Sequence, residues 1–291
     1  METGTNTTAQ LTSAIHVIPG GSLFFAGIVA AGDHAKLSAT LLSVVRQKLT
    51  GANLDIHIFH PQENAPQIKP DKDITLVPFK SQEDFFSKFA DAVKRSPAQY
   101  CITLWSGEAL FDGAFDSAEK IFSKHQSVSW LTGIQTYQAK AGFNVALGTT
   151  AMRRWSFKIY GRNLYKNSGR YIPPASTFWR KSIWTTVAAQ LHFVDQKNFC
   201  EDLWLAFFKT QKLYTCKAYF SSSDKHPGLK VARFKNPNAI AVIEDNWLGR
   251  VKEFLFINNV PYLRLFYRNQ NDLAPLIRFD YETQSYFLNE Y

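Results

Sequence analysis

The sequence predicts an α/β fold, with a doubly wound, mostly parallel central sheet that carries helices on both faces. The first observation behind this prediction is the alternation of short apolar runs with helical patterns up to about residue 135. The second is the order of the first three elements, an apolar run at 23–31, a helical pattern at 35–49 and an apolar run at 54–59. This order is typical of a βαβ unit with parallel strands.

Each element has a local signal in the sequence. Residues 23–31 are short, apolar and bounded by glycines, as in a buried strand. In the following helix, Leu37, Leu41 and Val45 recur at helical spacing, and Asp33 is placed to be its N-cap. The same reasoning predicts strands at 74–78, 100–105 and 128–132 and helices at 83–94, 115–124, 178–190 and 200–211.

The ends of the chain differ from its centre. Residues 1–20 are polar and lack the apolar core of a signal peptide, so we expect a flexible tail. The longest strongly apolar run, 23–31, has nine residues and is too short to span a bilayer as a helix. Residues 21–235 are expected to form the main domain. Residues 236–291 are expected to form a C-terminal appendage of β character, with apolar stretches at 239–243, 254–257 and 262–266.

The composition is that of a globular protein. Apolar residues make up 45% of the 291 residues and charged residues 20%, which excludes a disordered chain, a fibre or a coiled coil. Aromatic residues reach 15%. The three cysteines, Cys101, Cys200 and Cys216, are too widely spaced for a zinc site. We expect them to be small buried side chains in a reducing compartment, which indicates a cytoplasmic protein.

The positive charge of the chain is concentrated in one third of it. The net charge is +9, but residues 141–235 alone hold 16 positive and 4 negative side chains. Such a basic, aromatic-rich chain raises nucleic acid as a partner, although the confinement of charge favours a smaller phosphorylated ligand. Within this part, residues of the basic segment 153–181 recur every four positions, which on a helix forms one stripe. The stripe is either a solvated face or a surface that meets phosphate, including that of a membrane. Its members are Arg154, Lys158, Arg162, Lys166 and Arg170.

Ligands of a doubly wound sheet bind outside the C-terminal ends of its strands. The predicted strands therefore point to residues 30–33, 59–62 and 105–108 as candidates for a binding site.

Three segments resemble family 2 glycosyltransferases, which have the GT-A fold. The first, 101–133, reads CITLWSGEALFDGAFDSAEKIFSKHQSVSWLTG and keeps the family's Gly-Ala and Trp-Leu-Thr-Gly elements after a strand-end acidic motif. The second, 153–184, contains the run STFWRK at 176–181, and the third, 200–216, reads CEDLWLAFFKTQKLYTC. The third is similar to the family's acidic helix near the acceptor. The resemblance covers about residues 23–220.

This resemblance implies a function and a set of site residues. The function is transfer of a sugar, with inversion, from a nucleotide-sugar donor to a glycan or lipid-linked acceptor in polysaccharide assembly. The domain would divide into a nucleotide half, 21–135, and an acceptor half, 136–235. The implied donor-binding residues are Ala31, Asp33, His60, Ser106 and Glu108. The implied acceptor or diphosphate-binding residues are Ser176, Arg180, Lys181 and Trp204, and the implied base is Asp202 or Glu201.

Several acidic positions of the family are replaced in this chain. The family's nucleotide-contacting Asp is matched by His60, one acid of the strand-end motif by Gly107, and a Glu by Ala175. Glu108 remains as a ligand for Mg²⁺ or Mn²⁺, but the motif is incomplete, and Arg180 and Lys181 are an alternative source of positive charge.

These losses are also compatible with a second hypothesis. A catalytically weakened GT-A domain would serve as a binding or scaffold subunit, as a homodimer or paired with a related transferase. A nucleic-acid-binding protein is the third reading. For a lipid-linked acceptor, the inner face of the membrane is the expected location.

Overall fold

The computed structural model describes residues 23–30, 34–50, 52–68, 72–138, 144–146, 172–188, 191, 199–224 and 276–289. The helices are α1 (His34–Arg46), α2 (Gln82–Arg95), α3 (Ala114–Lys124), α4 (Lys181–Val187) and α5 (Phe199–Thr210), with 3₁₀ turns at Gln47–Thr50 and Pro174–Ser176. The strands are β1 (Leu23–Val29), β2 (Asn53–Pro61), β3 (Ile74–Phe79), β4 (Tyr100–Trp105), β5 (Glu108–Leu110), β6 (Trp130–Gln138), β7 (Asn144–Ala146), β8 (Thr177–Arg180), β9 (Tyr214–Ser223), β10 (Leu276–Asp280) and β11 (Ser285–Asn289).

The strands of the described residues form one mixed, mostly parallel sheet. Its order is β11-β10-β9-β6-β8-β4-β1-β2-β3, with β5 added to β9 and β7 to β6. β1 pairs in parallel with β2 on one side and with β4 on the other, so the chain reverses its direction of progress across the sheet at β1. β8 is antiparallel to both of its neighbours, β4 and β6. The prediction that the first two strands are parallel is confirmed.

Helices cover both faces of this sheet. Phe24 and Phe25 are adjacent on β1 and fully buried, and they point to opposite faces because successive side chains of a strand alternate. The Phe24 ring stacks on Phe115 of α3 at 4.6 Å, whereas Phe25 meets Phe89 of α2 edge to face at 5.9 Å. α1 and α3 therefore pack on one face, and α2, α4 and α5 on the other. The predicted fold class, a mostly parallel α/β sheet with helices on both faces, is confirmed.

A buried polar stripe on α1 fixes the loop that follows β4. Thr40 and Ser43 of α1, and Gln47 at the start of the 3₁₀ turn that continues it, lie three and four residues apart, so they share one face. Thr40 Oγ1 accepts from the Gly107 backbone N–H and Ser43 Oγ accepts from the Leu110 backbone N–H, each at 3.0 Å. Gln47 donates to the Phe111 carbonyl at 3.0 Å and accepts from the Phe115 N–H at 3.4 Å. Residues 107–115 are thus held to α1 by side chains that replace water as hydrogen-bond partners.

Two glycines allow close approaches that a side chain would prevent. Gly27 on β1 faces Phe89, and a Cβ there would lie 2.9 Å from the Phe89 ring. Gly133 lies where β6 and β9 lose register, and a Cβ there would lie 2.8 Å from the Ala218 carbonyl oxygen and closer still to the Phe220 ring. These positions therefore require glycine for reasons of space.

Not every predicted element has the predicted form. The helix expected at 178–190 is wrong in its first part, because Thr177–Arg180 is the strand β8 between β4 and β6. The aromatic pair Phe178 and Trp179 is fully buried in that strand, and such side chains suit a pleated, buried surface. The strand expected at 128–132 begins later and runs on to Gln138. β9 was missed.

The C-terminal part adds a hairpin to the same sheet. β10 pairs in parallel with β9 at Leu276 and Ile277, and β11 returns antiparallel to β10. Within 236–291, the three predicted apolar stretches lie outside the described residues, as do the tail 1–20 and the basic stripe 154–170. The boundaries predicted for the domain and its halves remain predictions. Among the described helices, none has the length and apolar character needed to cross a bilayer.

Candidate functional site

The C-terminal ends of β1, β2 and β4 meet at one edge of the sheet. The Ala30 backbone N–H donates to the Phe59 carbonyl at 2.8 Å, and the Ser106 N–H donates to the Val29 carbonyl at 3.0 Å. Because β2 and β4 lie on opposite sides of β1, this edge is a topological switch point. Ligands of open α/β sheets bind at such points.

Glu108 lies at this edge with its carboxyl group buried. It begins β5, and its Oε2 accepts a hydrogen bond from the Trp105 backbone N–H at 2.7 Å. Its Oε1 accepts one from the Gln135 side-chain amide at 3.3 Å. Burial raises the pKa of Glu108 to about 7; the two hydrogen bonds act in the opposite direction, and the carboxylate of Asp224 raises it further. Glu108 therefore gains or loses its proton near neutral pH.

The first turn of α5 brings two further acids to the same place. Glu201 and Asp202 are both buried, and burial raises the pKa of Glu201 to about 7. Cys200 precedes them, and its thiol is hydrogen-bonded by the Trp105 side chain. Burial raises the pKa of the Cys200 thiol well above its usual value, and the charges of Glu201, Glu108 and Asp202 raise it as well. The charges of three carboxyl groups from two distant parts of the chain therefore reach the Cys200 thiol, which lies beside Trp105.

A cation lies over the turn between β4 and β5. Lys36, in the first turn of α1, forms an ion pair with Asp224 at the end of β9. The Asp224 backbone N–H donates to the Gly107 carbonyl at 3.2 Å, and a Cβ on Gly107 would lie 2.8 Å from Asp224 Oδ1. Gly107 has a φ of +96°, in the left-handed region that favours glycine. The turn therefore brings its backbone directly under the Asp224 carboxylate.

The structure brings together part of the donor-binding set expected from the sequence. His60, Ser106 and Glu108 follow or end neighbouring strands at the same edge. His60 is buried rather than a solvated loop residue, and its Nδ1 donates to the Pro61 carbonyl at 2.9 Å. Ala31 and Asp33 lie outside the described residues.

Arg180 lies at the opposite edge of the sheet. It pairs with Tyr100 at the start of β4, which the length of that strand places about 17 Å from its C-terminal end. Its guanidinium donates to the carbonyl of Phe122, in the last turn of α3, at 2.5 Å and to that of Val128, beyond the helix end, at 2.8 Å. It lies 5.1 Å from the centre of the Phe122 ring. The structure therefore corrects the expectation that Arg180 binds a diphosphate at the site.

Lys181 is placed in the same way on the other face of the sheet. Its ammonium donates to the carbonyls of Lys94, at 3.0 Å, and Ser96 at the C-terminal end of α2. A cation at this end of a helix is favoured by the unsatisfied carbonyls there. Lys181 is therefore also removed from the diphosphate site.

Ser176 and Trp204, which the resemblance assigned to the acceptor, are enclosed in the protein. Ser176 is fully buried and its hydroxyl lies 2.5 Å from that of Ser221. The Trp204 indole donates to the Ile172 carbonyl at 3.2 Å and stacks on Trp130 with 5.7 Å between ring centres. Neither side chain presents a free surface to a sugar.

The expectation that the three cysteines are buried is confirmed.

The comparisons with known proteins give a distant likeness. No protein-family model matches this chain, and no curated protein matches it. A crystal structure of S. aureus TarS 1-349 matches with 11% identity and a TM-score of 0.48, over 69% of this chain and 60% of that one. The same fragment in complex with UDP-GlcNAc gives 12% identity and a TM-score of 0.46, over 72% and 61% of the two chains. In complex with UDP it gives 11% and 0.47, over 70% and 61%. This chain thus spans about 60% of the TarS fragment, and a likeness of this size assigns it no ligand or reaction.

The residues at the site can be tested against the divalent cation that the resemblance implies. Mg²⁺ takes six oxygen ligands in near-octahedral geometry and is usually bound through one or two carboxylates together with waters and substrate phosphates. Each oxygen of Glu108 already accepts a hydrogen bond, and Asp224 pairs with Lys36. Within the described parts of the chain, no three His, Cys, Asp or Glu side chains are grouped so that they could hold a metal. This donor set does not fit a divalent cation.

Sequence reasoning did not find Gln135, Lys36 or Asp224. Gln135 lies inside a strand and no local pattern distinguishes it. Lys36 did carry a signal, because a cation in the first turn of a helix opposes the helix macrodipole. Asp224 is brought to Lys36 by the fold across 188 positions of sequence.

Proposed function

We propose that this chain is a glycosyltransferase of the GT-A type that moves a sugar from a nucleotide-sugar donor to a glycan or lipid-linked acceptor. The observation that carries the proposal is the position of Glu108 after β4 at the switch point of a mostly parallel sheet, with Cys200 of α5, next to Glu201 and Asp202, bonded by Trp105 at the end of the same strand. The sequence resemblance to family 2 glycosyltransferases over residues 23–220 supports the same function and implies inversion.

The acids suit the proton transfer that such a reaction needs. As the bond between the sugar and the diphosphate breaks, the acceptor hydroxyl attacks the sugar and must lose its proton to a base. Burial raises the pKa of Glu201 to about 7, so its carboxylate can take up a proton at neutral pH. Asp202 is the other candidate for this role. We assign the nucleotide to the strand ends beside His60 and Ser106.

Donor binding is the first test of the proposal. The melting temperature of the full chain is measured with UDP-, GDP- and dTDP-sugars, with and without Mn²⁺. A ligand that binds only the folded state raises the melting temperature by mass action, so at least one donor should do so. If none of these nucleotides raises the melting temperature, the proposal is wrong.

Transfer itself is tested through the acids. Hydrolysis of the stabilising donor to nucleoside diphosphate is followed for Glu201→Gln, Asp202→Asn and the control Glu83→Gln. Glu83 is an exposed acid in the first turn of α2. Like Glu201 it lies in the first turn of a helix, but unlike Glu201 it is not buried. A rate that falls at least tenfold in one of the first two variants and is unchanged in the control supports the assignment of the base.

One observation favours a second function, a nucleotide-binding or scaffold subunit without transfer activity. Ser176 and Trp204, which would meet the acceptor, are buried and hydrogen-bonded inside the protein. Donor binding without turnover would support this second function. A homodimer or a related transferase as partner, and membrane contact through 153–181, belong to the same set of proposals.

A further inference from the structure

The position of Lys36 points to a role in binding phosphate. Lys36 lies in the first turn of the thirteen-residue helix α1, which begins after the C-terminal end of β1. The amide groups at a helix N-terminus carry partial positive charge, so a lysine there is unfavourable unless an anion is close by. In the structure that anion is the carboxylate of Asp224.

Both partners of this ion pair remain accessible. The side chain of Lys36 is 36% exposed and that of Asp224 is 39% exposed, so a solute can reach the ammonium from solvent. The pair stands over the Gly107 turn, next to Glu108, at the edge assigned to the nucleotide. A phosphate oxygen and a carboxylate oxygen make the same kind of charge-assisted hydrogen bond to an ammonium.

The surrounding charge makes such a cation necessary. Glu108, Glu201, Asp202 and Asp224 all lie at this edge, and each repels a diphosphate when ionised. Of these acids, Glu108 is hydrogen-bonded on both oxygens and Asp224 is paired with Lys36, so neither is arranged to hold a divalent cation. Lys36 supplies positive charge at the same point without a metal.

We propose that Lys36 binds the phosphate groups of a nucleoside diphosphate in place of a divalent cation, and that Asp224 holds Lys36 when no phosphate is bound. This inference rests on the proposed function, because it assumes that the ligand at this edge is a nucleotide. Asp224 is then a competitor of the ligand for the Lys36 ammonium.

The test is a calorimetric titration of the full chain with UDP, GDP and dTDP, in EDTA and in Mn²⁺. In EDTA, Lys36→Gln should weaken binding of the preferred nucleotide about tenfold to a hundredfold, the loss of one charge-assisted hydrogen bond. Asp224→Asn should tighten binding several-fold, because it removes both a competitor and a negative charge. The matched controls are Lys48→Gln and Asp73→Asn. They break a second Lys–Asp pair, at 2.5 Å, about 18 Å away at the far end of α1, and should leave the affinity unchanged.

The direction in which Asp224→Asn changes the nucleotide affinity distinguishes this inference from a metal site. If Asp224 were a metal ligand, Asp224→Asn would weaken binding in Mn²⁺, which would overturn the inference. Binding that disappears in EDTA and returns with Mn²⁺ would also overturn it and leave the proposed function standing. The absence of binding under both conditions would overturn the proposed function as well. Should Lys36→Gln fail to fold, Asp224→Asn alone still decides, because its affinity for the nucleotide is expected to rise under this inference and to fall at a metal site.

Discussion

The side-chain amide of Gln135 donates a hydrogen bond to Oε1 of Glu108 over 3.3 Å. This contact joins the middle of the sheet to the loop after β4, across 27 positions of sequence. Together with the Trp105 N–H it holds the Glu108 carboxyl in one orientation inside the protein. The Gln135 Oε1 has no hydrogen-bond partner among the described residues.

Glu108→Gln should change the dependence of stability on pH. The folded-state pKa of Glu108, about 7, lies above its ordinary value of 4.5, so the folded protein binds the additional proton between these values. Stability then falls as pH rises from about 4.5 to 7. The variant removes this loss and should be more stable than the wild type at pH 8 by about 3 kcal/mol.

Urea unfolding at pH 5 and pH 8 measures this effect. Asp55 and Asp84, whose pKa values are held below 3.8, titrate outside the pH window and do not interfere. Glu201 adds a fall of the same sign, so Glu201→Gln should also flatten the profile. Identical profiles for wild type and both variants would contradict the prediction.

Gln47→Leu should destabilise the protein by about 1–3 kcal/mol. It leaves the Phe115 N–H without its Gln47 partner in the interior, whereas the Phe111 carbonyl keeps the Ala114 N–H at 3.2 Å. Unfolding in urea gives the value. As a control, Thr186→Val removes an exposed hydroxyl that bonds only within α4, and should cost less than about 0.5 kcal/mol. Equal losses in the two variants would show that the α1 stripe does not hold the loop.

Arg180→Lys should lower stability by about 2–3 kcal/mol without changing nucleotide affinity. A lysine cannot reproduce the planar group that bonds the Phe122 and Val128 carbonyls and lies over the rings of Tyr100 and Phe122. Unfolding in urea and nucleotide calorimetry are measured on the same sample. A weaker affinity with unchanged stability would return Arg180 to the diphosphate site.

Two glycine substitutions should differ in their cost. Gly133→Ala puts a methyl group against both the Ala218 carbonyl and the Phe220 ring, so we expect a loss of about 3 kcal/mol, at the upper end of the usual cost of overpacking. Gly113→Ala meets no atom within 4 Å, but its φ of +80° is strained for alanine, at a cost of about 1–2 kcal/mol. Thermal unfolding of the two variants orders them. The reverse order would show that the close contact of β6 and β9 can relax.

Local patterns predict those parts of the fold in which a residue's neighbours in sequence are also its neighbours in space. β1 is read from its apolar run, and α2 and α3 are found within one residue of the expected ends. β8 was not predicted from local pattern, because its strand form depends on pairing with the distant segments β4 and β6. Helical spacing alone could not distinguish it from the start of α4.

The sequence by itself determined the alternation of strands and helices, the edge at which His60, Ser106 and Glu108 would lie, and the two acids in the first turn of α5. Only the tertiary structure decided which charged groups meet there. Arg180 and Lys181 cap helices at the far edge, whereas Lys36 and Asp224 meet across 188 positions. The physical reason is that burial and hydrogen bonding between distant segments, and not residue type, decide where a charge is stable and what it can bind.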